Sequence, residues 1–239
     1  MDVQRDFLDG YRAAVIRLRR SAIALRLFSL VIALLAGYSG HGAHADEGSF
    51  SVLRAPKPLP EFSLVDQHGR TFTREQLTNQ WSLIFVGFTS CPHVCPMTLR
   101  RLEALRAEMG LRIGVDKIPE IVFLAVDPAR DQPVLKSYLA NFDPSNIGVT
   151  GAKSEIDKLI KGLGAAYRFA DKKPGSDYYE VLHSSAINLV NPQGELIAQL
   201  NPPFAVAPMT QFLVNLIRSA KSQLHAGAEA QSLANVDDE

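Results

Sequence analysis

The chain has 239 residues, 46% of them hydrophobic and 21% charged, with 25 basic residues balancing 25 acidic ones. That composition belongs to a globular protein with a substantial core. Net charge of zero with no basic stripe argues against a nucleic-acid binder.

The charge is unevenly placed. Residues 1–45 hold six arginines (Arg5, Arg12, Arg17, Arg19, Arg20, Arg26) against three acids (Asp2, Asp6, Asp9), leaving the remainder slightly acidic. An apolar run, Leu27–Gly37, follows the arginines, and Ala43-His44-Ala45 then fits an A-x-A cleavage site. The first 45 residues therefore read as an export leader, either a cleaved signal peptide or a retained membrane anchor. The run is short against the ~20 apolar residues of a full span. In both readings the arginines stay cytoplasmic and the main domain is exported. The Arg19-Arg20 pair reads as ordinary leader charge.

Residues 46–60, with Pro56, Pro58 and Pro60, read as a linker. Phe62–Val65 then predicts a short strand, turned at Asp66–Gly69. Ser82–Gly87 is continuously apolar, as expected of a strand covered on both faces. Pro96 suits the first turn of a helix whose apolar face is Leu102, Leu105 and Met109, with Gly110 as its stop. Ile121–Val126 predicts a second buried strand. Helices are expected over 132–142 and 154–162, with a short strand near Ile147 between them. Ala186–Val190 and Leu196–Leu200, separated by Asn191-Pro192-Gln193-Gly194, read as a hairpin. Met209, Phe212, Leu213, Leu216 and Ile217 mark an amphipathic closing helix. Residues 221–239 read as a flexible tail.

This order predicts a thioredoxin-like α/β domain over residues 61–220, a central mixed sheet flanked by helices. Its strand-to-helix turn carries both cysteines of the chain, in G-F-T-S-C-P-H-V-C-P-M-T-L (Gly87–Leu99). Cys91 and Cys95 are four apart, so a helical turn brings both sulfurs to one side. A helix N-terminus favours thiolate, which is both the nucleophile of disulfide exchange and a ligand for soft metals. A structural disulfide is a third reading, but so short a loop removes little chain entropy. A soft pair joined by imidazole suits copper or zinc. Beyond residue 45 the histidines are His68, His93, His183 and His225, and His183 stands just before a predicted core strand.

Four segments together resemble the Sco/SenC family of copper-binding, thioredoxin-like proteins that assist assembly of the copper A centre of cytochrome c oxidase. They are Phe62–Thr73 (F-S-L-V-D-Q-H-G-R-T-F-T), Gly87–Leu99, Val126–Asp131 (V-D-P-A-R-D) and Leu182–Ala186 (L-H-S-S-A), and the resemblance covers about residues 58–220. It implies Cys91, Cys95 and His183 as ligands of copper(I) or copper(II), and a redox-active disulfide between Cys91 and Cys95. It places Asp127 near the site without a ligand role. It also implies a copper-accepting subunit of a membrane oxidase as partner, with a copper donor and a thiol reductase as further candidates. The location would be periplasmic, or membrane-anchored and facing the periplasm. Two departures stand out: the family commonly has an acid where this chain has His93, and an Asp where it has Leu182.

Two functions follow as expectations. One is a copper chaperone without turnover; the other is a thiol–disulfide oxidoreductase, with Cys91 as nucleophile and Cys95 as resolving thiol. Peroxidase chemistry would need a peroxide pocket that the sequence does not supply.

Overall fold

The computed structural model describes residues 49–114, 117–172, 175 and 179–234, with side chains described through Ala220. The leader expected over 1–45 and the last five residues lie outside the described residues. Among the described residues no helix is long and apolar enough to cross a membrane.

Two runs with no polar break, β4 (Ser82–Gly87) and β5 (Glu120–Ala125), pair in parallel from Ser82–Glu120 to Gly87–Ala125. Their side chains are almost wholly buried, as strands covered on both faces require. Around them an eight-stranded mixed sheet forms. β6 (Ile147–Thr150) continues the parallel set, followed by β2 (Ser63–Asp66) and β3 (Thr71–Thr73), both antiparallel. On the other side of β4 come β9 (Ile187–Val190), β10 (Glu195–Leu200) and, at the edge, β1 (Phe50–Pro58). The expected hairpin is β9–β10, turned at Gly194, whose φ of 72° is a glycine conformation.

Among the described residues the α-helices are α1 (Val94–Ile113), α2 (Pro128–Asp131), α3 (Leu135–Leu139), α4 (Lys153–Leu163) and α5 (Val206–Ala234). α1 buries Leu99, Leu102, Leu105 and Met109 and packs beside α5. α4 is fastened to the sheet by Ser63 N–H donating to Glu155 (2.9 Å) and Gln199 donating to the Leu163 carbonyl (3.0 Å). The thioredoxin-like arrangement expected from the element order is thus present.

Four local expectations change. Phe50–Pro58, read as linker, is a strand, because an edge position tolerates Pro56 and Pro58, and the register breaks between Val52 and Lys57. α1 passes through Gly110 and stops before Gly114, whose φ of 83° no helix can continue. The helix expected over 132–142 is shortened to α3 (Leu135–Leu139), with a turn at 132–134 where Pro133 lacks the N–H needed in a helix interior, and the separate short α2 precedes it. The closing helix runs on to Ala234, into the stretch read as tail. A further hairpin, β7 (Tyr167–Phe169) with β8 (Val181–His183), stands outside the main sheet.

Candidate metal centre

Parallel neighbours put their carboxyl-end loops side by side, the usual place for a site in an α/β sheet. Here Val126 N–H donates to the Gly87 carbonyl (3.0 Å), so the loop after β5 lies against the loop after β4. β9 starts opposite the end of β4, with Ile187 paired to Phe85, and so brings residues 183–186 to the same end.

The turn that follows β4 is closed by Cys91 N–H donating to the Phe88 carbonyl (3.2 Å). His93 occupies the N-cap of α1 but makes no side-chain cap. The helix therefore begins with unfilled N–H groups. One of them, from Cys95, donates to the Cys91 sulfur at 3.4 Å, so the sulfur does part of the work of a capping oxygen. Cys95 is fully buried and Cys91 half-buried, and both are free thiols.

His183 ends β8, 88 residues from Cys95 in sequence, yet its Nε2 stands 3.9 Å from the Cys95 sulfur. Its Nδ1 lies 2.9 Å from the Ser184 carbonyl. A carbonyl only accepts, so Nδ1 carries the proton and Nε2 offers its lone pair toward the cysteines. Phe85 and Phe88 meet the ring edge-on, at 6.3 and 6.0 Å between centroids, and hold its plane.

The structure thus brings together the three donors named from the sequence. They are adjacent rather than caged: among the described residues no three His, Cys, Asp or Glu groups stand at metal-cage spacing. The donor chemistry still fits a soft ion. Metal bonds of about 2.3 Å to thiolate and about 2.0 Å to imidazole, as at zinc, allow one ion to touch both partners of a 3.9 Å pair. His93 and His68 are exposed and apart from this arrangement.

One proton is shared unequally between the sulfurs. The Cys95 thiol donates to Cys91, and this pulls the Cys91 pKa down to about 4 despite partial burial, with the backbone N–H groups of Cys95 and His93 assisting. The same hydrogen bond, together with burial, pushes Cys95 well above the ordinary thiol range. Lowering the pH protonates a thiolate, so a depressed pKa keeps Cys91 reactive into acid. Iodoacetamide is accordingly expected to label Cys91 and spare Cys95 in the reduced protein. The labelling rate should stay level through neutral pH and halve only near pH 4. A midpoint near the ordinary cysteine value of about 8.5 would contradict this arrangement.

The surroundings hold groups that sequence reasoning passed over. Asp131 is completely buried and accepts three hydrogen bonds: from Thr89 N–H (2.8 Å), Thr89 Oγ1 (2.7 Å) and Asp127 N–H (2.9 Å). It stitches the cysteine loop to the loop after β5. Asp127, expected near the site, has its carboxylate paired with Arg130 and accepting from Tyr179 Oη (2.9 Å). Gly87 is the other omission: a Cβ there would lie 2.9 Å from the Cys95 sulfur. A glycine closing an apolar strand is the available sequence signal, marking a close approach.

Access runs through a cleft of about 270 Å³ lined by Phe88, Cys91, Val94, Leu182, His183 and Ser185. Leu182, in place of the family's acid, is exposed at its rim.

Comparison with known proteins shows to which family the chain is similar. The SCO1/SenC family model matches residues 53–218. A Stutzerimonas stutzeri protein named for copper binding is 31% identical over 201 residues, covering 84% of this chain and 95% of that protein. The mitochondrial protein SCO1 of Saccharomyces cerevisiae is 36% identical over 141 residues, 58% of this chain; the chain spans about half of the yeast protein's length. Among solved structures, Arabidopsis thaliana ScoI with copper bound has a TM-score of 0.62 at 30% identity, covering 67% of this chain and 98% of that one.

Proposed function

The chain belongs to the SCO1/SenC family, and from that premise we propose that it is an exported copper chaperone. Cys91 and Cys95 supply thiolate sulfur, and His183 supplies an imidazole nitrogen. The observation that carries this reading is the approach of His183 Nε2 to within 3.9 Å of the Cys95 sulfur, from a hairpin remote in sequence. A histidine serving only the core would have no reason to aim a free lone pair at a thiol pair. Copper is cargo here, held by two soft sulfurs and released by ligand exchange to a partner that approaches the half-buried Cys91.

The acceptor we propose is a copper-accepting subunit of a membrane oxidase, with the copper A centre of cytochrome c oxidase as destination. Delivery requires the domain to face the same compartment as that subunit, periplasmic and either free or anchored by the leader. The protein acts as a binding partner, without turnover.

Copper(I) titration of the reduced protein against a competing chelator tests the assignment. One ion per chain is expected, with His183→Ala weakening binding at least ~10-fold, the lower range for losing a metal's supporting group. Binding indifferent to His183 would reject it as a ligand.

A second reading rests on the placement of the pair, with Cys91 half-exposed in the cleft and Cys95 buried behind it. A half-exposed thiolate beside a buried thiol is the arrangement of a disulfide exchanger: Cys91 attacks a partner disulfide, freeing one partner thiol and forming a mixed disulfide, and Cys95 then attacks the Cys91 sulfur, freeing the second partner thiol and closing the pair. Two electrons pass to the partner, and the two cysteines become a disulfide. The same chain can do both, since an acceptor's cysteines must be reduced before they take copper. Thiol–disulfide exchange that persists without metal and in His183→Ala is the expected signature.

A further inference from the structure

The turn that carries Cys91 presents a second pair of soft donors to solvent. His93 is exposed at the N-cap of α1, and Met97 follows it by four residues. The Met97 N–H donates to the His93 carbonyl at 3.2 Å, so the two residues stand one helical turn apart. Side chains at that spacing are neighbours, with Cβ atoms about 5–6 Å apart. Cys95, two positions from each, points into the core on the other side of the helix.

Met97 differs from the other described methionines. It is 53% exposed, whereas Met109 and Met209 are completely buried. Its thioether and the His93 imidazole are both neutral donors, one soft and one intermediate, a combination suited to copper(I) rather than a hard divalent ion. The first turn of α1 contains no acidic residue, so no carboxylate competes or recruits such ions.

We propose that His93 and Met97 form a second, weak copper(I) site on the exposed side of the cysteine turn, from which the ion passes to the cysteines. The transfer role rests on the chaperone reading above, whereas binding at the pair stands without it. The helix dipole sets the strength: its positive end opposes a bound cation, and two neutral donors do not cancel that opposition. A weak site is what transfer requires, because an ion held firmly there would not move on. At the deeper site the thiolates supply the missing negative charge, so the gradient runs inward.

The test uses the full reduced chain and silver(I), a redox-silent soft monovalent ion, followed by NMR of the methionine methyl groups and the histidine rings. The first equivalent is expected at the cysteines. The second should shift the Met97 methyl and the His93 ring while leaving Met109 and Met209 in place. His93→Ala should weaken the Met97 response at least ~10-fold, the scale of losing a metal's supporting group. Met97→Leu, which conserves volume, should do the same to the His93 response. Both variants should keep the affinity for the first equivalent, and the double variant should load the cysteines with copper(I) more slowly. A Met97 methyl unmoved by the second equivalent, or moving equally without His93, overturns the site. If silver goes first to His93 and Met97 and leaves the cysteines unchanged, the pair stands and the chaperone reading falls.

Discussion

Asp131→Ala is expected to destabilise the domain by at least about 3 kcal/mol, the scale for breaking a buried, charged hydrogen-bond network. Asp131 is completely buried, and burial raises its pKa, yet three donors converge on it. Removing the carboxylate leaves Thr89 N–H, Thr89 Oγ1 and Asp127 N–H without their acceptor, and each orphaned buried donor costs ~1–3 kcal/mol. The damage is local to the site, because Thr89 lies two residues before Cys91. Urea denaturation reads the stability loss, and iodoacetamide labelling reads the turn: a loosened loop should also expose Cys95. Asp131→Asn keeps the shape but turns an N–H toward at least one donor, so it should fall between wild type and Asp131→Ala. A midpoint for Asp131→Ala equal to wild type would show that the stitch between the two loops carries no weight.

Gly87→Ala is expected to cost about 1–3 kcal/mol, as overpacking of a close-packed core does. It should also weaken copper(I) binding roughly tenfold or more. The added Cβ would stand 2.6 Å from Phe123 Cε2 and 2.9 Å from the Cys95 sulfur. Carbon contacts settle at ~3.5–4.0 Å, so at least one neighbour must move. Phe123 and Cys95 are both completely buried, so neither has free space to move into and the strain falls on the ring and the sulfur together. Thermal denaturation and copper(I) titration check the two effects separately. Lost stability with unchanged copper affinity would mean that Phe123 yields and the sulfur does not.

What could be read from the chain, and what could not, follows from the range of the interactions. β4 and β5 are legible because a strand buried on both faces needs an unbroken apolar run, and Leu83–Val86 and Ile121–Ala125 supply one. Cys91 and Cys95 are legible because their relation is local, a turn and the first residues of the helix that follows it. β1 is not, because its prolines are the residues that signal a linker; only its place at the sheet edge makes them harmless. Gly110 and Gly114 look alike in sequence, and it is the backbone at Gly114 that turns. Asp131 gives no sign of its role, since its main partner, Thr89, is 42 residues away and joins it only when two parallel strands pair. The sequence places His183 ahead of a core strand, and β9 does follow it; that His183 also ends a strand of its own in a separate hairpin is not legible there.

The split origin of the donors has a thermodynamic consequence. Two cysteines four residues apart remain close even in the denatured chain and can chelate a soft ion there, while His183 joins them only through the native fold. A ligand stabilises the folded state only by the ratio of its affinities for folded and denatured chains. Each tenfold of that ratio corresponds to ~1.4 kcal/mol. Copper should therefore raise the melting temperature by much less than its native affinity implies, the increment measuring chiefly His183 and the ordering of the turn. Unfolding would then proceed with the metal still attached to the two thiolates, and refolding would begin from a chain already carrying its cargo.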